Sequence, residues 1–595
     1  MNPSERYTER LDKRRKTWAR LDRAHGRIGT ARLALAAAFL IFAWGTVARR
    51  PVSPLWPSPL WLLVPAGVFL VLVLYHQRIR RLRALAGRAV TFYRSGIERL
   101  QGQPRDGGRS GEQFIDEHHL YGADLDLFGK RSLYERLCTA RTSMGESTLA
   151  QWLLAPADLP TIRERQTCIA ELRGLLDLRE DLVILGEPPH IALPSAAITA
   201  WADAPNELSL PWLRLGSFLL ALSAAATAAI WAIWGYAFPF LAVLVVEAGL
   251  NYAFRDRVQA AVSGVEHAYE DLKLLSMLLR RIESESFEAP SLRALKLNLS
   301  SHSLTASATL SKLATIVNFV EARRNPFLAP LMLPSMYTIQ SALAAERWRQ
   351  RHGRVVASWL GVLGEIEALE SLAAYSFERP EDPFPEFLAG PAAFTAAELG
   401  HPLISPQTRV RNDVDISGDT RVLLVSGSNM SGKSTLLRSV GINTVLAMAG
   451  APVCAARLQL TPLQVGASIR INDSLYEGSS RFYAEITRLR QLFEPSRLPL
   501  LFLLDELLQG TNSTDRRVGA QGVVRALLER GAIGLISTHD LALTDGSALR
   551  DGALKNVHFQ DELQEGKLSF DFRLRDGVVT KSNGIELMRA IGLDV

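Results

Sequence analysis

Cysteine is nearly missing from this chain: Cys138, Cys168 and Cys454 are the only three among 595 residues, far apart and outside any Cys-x-x-Cys or Cys/His ligand spacing. That scarcity argues against a disulfide framework and against a zinc site, and fits buried thiols in a reducing compartment. A strong charge imbalance is also missing. The 67 Lys and Arg against 61 Asp and Glu leave +6, an Arg-borne excess that suits phosphates, acidic lipids or neither. No compact basic stripe with interleaved aromatics of the kind nucleic acid requires is present, and no Asn-Lys-x-Asp guanine-reading motif.

Apolar residues are plentiful. They make up 48% of the chain, with a mean hydropathy of +0.07, high for a wholly water-soluble protein. The length exceeds what one core can organise, so several domains are expected. Residues 5 to 31 mix Arg and Lys with Leu11, Trp18, Leu21 and Ile28, which suits a basic amphipathic helix on a membrane surface or a solvated helix. Leu33 to Ala48 is uncharged, Arg49-Arg50-Pro51 with Pro54, Pro57 and Pro59 makes a rigid turn, and Leu60 to Tyr75 is apolar again. Each run is near the short limit of about 20 residues for crossing a bilayer, and back to back they predict a helical hairpin. The charged lead is too long for a cleaved signal peptide. Basic residues flank both ends, including His76-Gln-Arg-Ile-Arg-Arg-Leu-Arg83, so both ends are expected to be cytoplasmic.

A second pair of apolar runs, Leu215 to Trp234 and Tyr236 to Phe254, reads as another membrane hairpin, with a buried hairpin in a soluble core as the alternative. Glu247 and Asn251 in the second run must look into a bundle or lie near the interface. Four spans put both termini on one side. Helical periodicity fills His118 to Leu210, with a break at Pro156 and Pro160, and resumes from Val258 to Ser376. The Pro-rich run Glu378 to Pro385 ends it.

Chemistry concentrates near the C-terminus. Val422-Leu-Leu-Val-Ser is a buried strand, followed by Gly427-Ser-Asn-Met-Ser-Gly-Lys-Ser-Thr435, a P-loop opening a helix. Its glycines let backbone N–H groups curl around phosphates at a helix N-terminus. Gly427, Ser428, Asn429, Met430, Ser431, Gly432, Lys433, Ser434 and Thr435 are therefore the candidate nucleotide-binding residues, with Lys433 reaching the β- and γ-phosphates and the Ser434 hydroxyl on Mg²⁺. Leu500-Leu-Phe-Leu-Leu-Asp505-Glu506 is a strand ending in two carboxylates. Asp505 is expected to hold Mg²⁺ and Glu506 to orient and deprotonate the attacking water. The strand Ile533-Gly-Leu-Ile-Ser-Thr-His539 places His539 where it can face the γ-phosphate.

Together these segments resemble the MutS family, a branch of the ABC-type ATPases. The P-loop is similar to the family's Gly-Pro-Asn-Met-x-Gly-Lys-Ser-Thr, with Ser428 in place of the usual Pro. Asp473-Ser-Leu-Tyr-Glu-Gly478-Ser-Ser480-Arg-Phe482-Tyr-Ala-Glu485 is similar to the family's signature segment. In that family the signature of one subunit covers the nucleotide of the other, so Ser480 is implied to cap the γ-phosphate in trans; an ordinary helix N-cap is the plainer reading. Similarity continues in His401-Pro-Leu-Ile with Arg411-Asn-Asp-Val, in Glu365 to Ala373, in Asp124-Leu-Asp-Leu-Phe-Gly through Pro156, and in Lys581-Ser-Asn-Gly584 onward.

The departures are equally informative. Before His118 stands basic lead, hairpin and linker, with no Phe-x-Glu wedge segment, and the chain stops at Val595 with no endonuclease-like tail, so ordinary mismatch repair is not expected. The expected architecture is an α/β C-terminal P-loop ATPase of ABC type plus all-α core and lever helices and two transmembrane hairpins. Its segments are a basic amphipathic lead over 1–31, a hairpin over 32–85, a linker over 86–117, core helices over 118–210, a second hairpin over 211–256, lever helices over 257–390 and the ATPase over 391–595. The leading functional expectation is a homodimeric inner-membrane ATPase using ATP and Mg²⁺. A membrane-tethered, ATP-switched DNA clamp is the alternative. An ABC transporter is a third; four spans and the absence of a Leu-Ser-Gly-Gly-Gln signature weigh against it.

Overall fold

The computed structural model describes residues 2–47, 63–102, 108–186, 195–205, 208, 210–266, 268–301, 304–322, 333–428, 430–469, 481–508, 512–538, 553–564 and 567–578. They form two compact units. The first comprises Met1–Asp106 with Glu180–Glu187; the second holds the rest.

In the first unit one continuous helix, Pro3–Val47, carries both the basic lead and the first apolar run, and Leu63–Leu100 carries the second. Residues 86–100, placed within the 86–117 linker, are thus helix: Ala86, Ala89, Phe92, Tyr93 and Gly96 are buried at 3.6-residue spacing. Tyr7 meets this face edge-on, its ring 5.8 Å from Tyr93 and 6.4 Å from Phe92. A Cβ on Gly96 would lie 2.6 Å from the Tyr7 ring, so the close approach needs glycine there. Glu180 is buried and accepts from the Tyr93 hydroxyl at 2.5 Å and from Arg14 at 2.6 Å.

The second unit opens with an irregular stretch, then helices Leu133–Leu137, Ser143–Leu154 and Leu159–Leu172. Pro160 starts the last of these in its first turn, where no N–H is needed, after an Asp158 N-cap. The apolar helices Pro211–Trp234 and Phe238–Val262 form a hairpin around Gly235, whose φ of +76° closes the turn. They and the two helices of the first unit are the four among the described residues long and apolar enough to cross a membrane, by length and composition.

The 42-residue helix Tyr337–Glu378 runs from this hairpin to the Pro-rich run and is about 63 Å long at 1.5 Å per residue. It crosses the Ser143–Leu154 helix at small residues: Cβ atoms on Gly364 and Gly145 would meet Met144 at 3.1 Å and Glu367 at 2.3 Å. The buried Glu367 carboxylate accepts from the backbone N–H groups of Arg141 (3.1 Å) and Thr142 (3.2 Å) and from the Thr142 hydroxyl. It thus serves the N-terminus of the crossing helix, where negative charge is favoured. Glu370 pairs with Arg179 at 3.0 Å, both buried.

Beyond the long helix lie two sheets. A four-stranded one includes Glu386–Phe387, so the globular C-terminal region begins slightly before residue 391. The other has six strands in the order 567–576, 554–564, 422–426, 533–538, 500–505, 464–468, parallel except for the first. Its inner strands are buried on both faces, which is why they read as unbroken apolar runs. Val422, Leu424, Phe502, Leu504 and Ile536 pack against Leu489, Val524 and Leu527 from helices Arg481–Gln491 and Ser513–Glu529, and against Leu492 just past the first of these. The alternate residue Leu503 faces Gly441 of the helix Lys433–Ala449 on the other side.

Candidate functional site

The parallel register sets Ser426, Thr538, Ser537 and Asp505 at the carboxyl ends of three adjacent strands: Ser426 pairs with Thr538 and Ser537 with Asp505. Such ends, where the strand order reverses, are where open α/β sheets place their ligands. The loop after Ser426 turns on Gly427 at φ +147° and Gly432 at φ +108°, with Met430 at +69° between them. A Cβ on Gly427 would meet the Ser431 hydroxyl at 2.8 Å and the Phe559 carbonyl at 3.1 Å, so the loop cannot close with a larger residue.

Lys433 begins the helix that follows and is buried. Its ammonium donates to the carbonyls of Gly427 (3.0 Å) and Ser428 (2.9 Å). Burial pulls its pKa below that of an ordinary lysine, and the facing carboxylates of Glu506 and Asp505 resist that fall. One cation, two anions and a glycine cradle therefore share one cleft. Ser434 lies half-buried and Thr435 exposed on the first turn. The buried hydroxyls of Ser428 and Ser431 have no hydrogen-bond partner among the described residues. Orphaned donors in a positive-φ cradle at a helix N-terminus are what a phosphate chain satisfies. The donor set also fits a hard cation, with Ser434 and Asp505 supplying oxygen.

Asp505 and Glu506 are held by a residue the sequence reading passed over. The Ser537 hydroxyl donates to the Asp505 carboxylate and accepts from the Glu506 N–H at 3.1 Å. Glu506 sits at φ +52°, a left-handed conformation that costs a non-glycine residue about 1–3 kcal/mol and needs such support. A polar residue in the fully buried strand Ile533–Thr538 was the available signal. Asn429, Ser480 and His539 lie outside the described residues, as does the segment from Lys581 onward.

Beside the P-loop is a pocket of ≈ 230 Å³ lined by Leu399, His401, Val410, Gly432, Phe559 and Phe572, among others. Asn412 braces it, donating to the Phe572 carbonyl (3.0 Å) and accepting from the Leu574 N–H (2.7 Å), while Phe572 takes φ +55°. Nothing in the alternation around Phe572 singles it out. His401 forms part of the wall; its Nδ1 accepts from the Leu403 N–H at 3.3 Å. Burial, then the charges of Arg438 and Arg409, push its pKa down to about 4. The unfolded chain takes up that proton near pH 6.5 and the folded site near pH 4, so acidification favours unfolding across this window. Stability should fall as pH drops from 6.5 to 4, by about 3 kcal/mol from this group, and His401→Gln should remove that slope in urea titrations run at several pH values.

Residues 423–594 match the family model for MutS domain V. The chain is 30% identical over 251 residues to the DNA mismatch repair protein MutS 2 of Halobacterium salinarum, covering 41% of this chain and 29% of that protein. It is 34% identical over 194 residues to the endonuclease MutS2 of Thermus thermophilus (32% and 25%) and 36% identical over 196 residues to a MutS of the same species (32% and 23%). The chain therefore spans less than a third of the length of these relatives. A P-loop, a paired carboxylate and the strand order that joins them all fall within the matched stretch, so the similarity to MutS proteins lies in this C-terminal region.

Proposed function

We propose that this chain is a membrane-anchored MutS-type ATPase whose site is completed by a second copy. The observation that carries the reading is Lys433 facing Asp505 and Glu506 across a positive-φ loop with two unpartnered hydroxyls. Loop N–H groups and Lys433 bind the ATP phosphates; the neighbouring pocket receives the base, with Phe572 as part of its wall. Ser434 and Asp505 would hold Mg²⁺, which supplies charge neutralisation at the β- and γ-phosphates. Glu506 orients water and takes its proton, His539 faces the γ-phosphate, and Ser480 of the partner copy caps it.

Anchoring rests on four apolar helices whose surfaces remain largely uncovered: Trp44 is 77% exposed, Phe238 82% and Val245 72%. Apolar area of that extent in water marks a membrane or a partner. Basic flanks on both hairpins support a topology with the ATPase and both termini in the cytoplasm, at the inner membrane. The long helix joins the second hairpin to the ATPase and is the route by which nucleotide state reaches the bilayer.

The test is fractionation of tagged full-length protein, followed by ATPase assays in detergent with and without duplex DNA. Membrane recovery and DNA-independent turnover are expected. Recovery in the cytosol overturns the anchoring, and a steep inverse dependence of duplex binding on log salt would favour the DNA-clamp reading that the names of the relatives suggest.

A further inference from the structure

We propose that Glu485 is a positioning residue through which each chain's signature helix sets the placement of that chain's own Glu506, so that the two ATP sites of a dimer sense one another. The inference rests on the composite-site reading above.

Glu485 lies on the helix Arg481–Gln491, which begins one residue after Ser480. It is 1% exposed, and its carboxylate accepts from the Leu508 N–H at 2.6 Å. Leu508 is in the bend that follows Asp505 and Glu506, and both Glu506 (φ +52°) and Leu508 (φ +56°) occupy the left-handed region. Two non-glycine residues so close together in that conformation make a strained turn, so what holds the turn decides where Glu506 points. Two of its contacts come from other elements. Ser537 grips the N–H of Glu506, and Glu485 grips that of Leu508.

The second hold comes from a different element. Leu507 and Leu508 share a core with Leu489 of the signature helix and with Leu492 just beyond its end, so bend and helix move as one packed body. One turn on from Glu485, Arg488 pairs with buried Asp124 at 2.8 Å, whose other carboxylate oxygen accepts from the Ile469 N–H at 2.7 Å. Asp124 also takes the Arg438 guanidinium on its backbone carbonyl at 3.1 Å, from the helix that the P-loop opens. A shift of the signature helix is therefore passed to the Glu506 turn. If the signature caps the partner's nucleotide, binding there adjusts hydrolysis here.

A plain capping role would need only an acceptor oxygen and would show up as stability. Three variants of the full-length protein in detergent separate the two. Glu485→Gln keeps the acceptor, Glu485→Asp keeps charge but shortens the reach by one methylene, and Glu485→Leu removes the bond. Wild type and Glu485→Gln should share a Hill coefficient above one for ATP and turnover within about twofold of each other. Glu485→Asp and Glu485→Leu should lose about 10- to 100-fold in kcat with KM changed less than about threefold, and should show a Hill coefficient of one. The inference is overturned if wild type shows no cooperativity, or if Glu485→Asp keeps both kcat and cooperativity. A Glu485→Leu chain that fails to fold leaves Glu485→Asp to decide. Turnover that survives Lys433→Ala would instead bring down the composite-site reading itself.

Discussion

ATP turnover should fall at least about 100-fold in Lys433→Ala, the loss typical when a single preorganised charge-stabilising group is removed. The side chain is buried and already draws on the carbonyls of Gly427 and Ser428 and on the facing Asp505 and Glu506, so its loss removes the cation that those carboxylates face. Ala also leaves two acidic groups facing the phosphates uncompensated, which weakens nucleotide binding as well as catalysis. Filter binding with labelled ATP and phosphate release, measured on the same preparation, check both. Retained turnover means that hydrolysis takes place elsewhere.

Glu506→Gln should divide the two functions that Lys433→Ala removes together. The amide keeps the size of the side chain and leaves the backbone hold on Ser537 intact, so the positive-φ turn survives. It cannot take a proton from water, and general-base removal costs about 10²–10⁴ in rate. ATP is then bound and not consumed, and the closed dimer accumulates. Size-exclusion chromatography with ATP and Mg²⁺ should show a shift to dimer that ADP does not produce. A variant that hydrolyses at the wild-type rate shows that another group is the base; one that stays monomeric shows that nucleotide does not close the dimer.

The cleft was legible in the sequence because its parts are contiguous. The P-loop is a strand, a turn and a helix in one 14-residue stretch, and Asp505-Glu506 ends an apolar run that has to be a buried strand. Ser537, Phe572 and the capping role of Glu485 were not legible, since each acts through a neighbour brought by sheet register or helix packing. The long helix was foreseen as helical, yet its crossing at Gly364 depends on Gly145, more than 200 residues away. The linker boundary failed for another reason. The linker was drawn from where the apolar run ends, and a helix with one buried face can continue past that point, as 86–100 does.

The same crossing carries a mechanical consequence. Gly364 divides the 42-residue helix at roughly one third of its length from the ATPase end. A stiff rod tilting about that fulcrum moves its far tip roughly twice as far as its near one, so a displacement of about 1 Å at its Glu378 end would become about 2 Å at its Tyr337 end. The gearing is set by where two glycines meet, and moving that meeting point by one helical turn would change the stroke without touching either end.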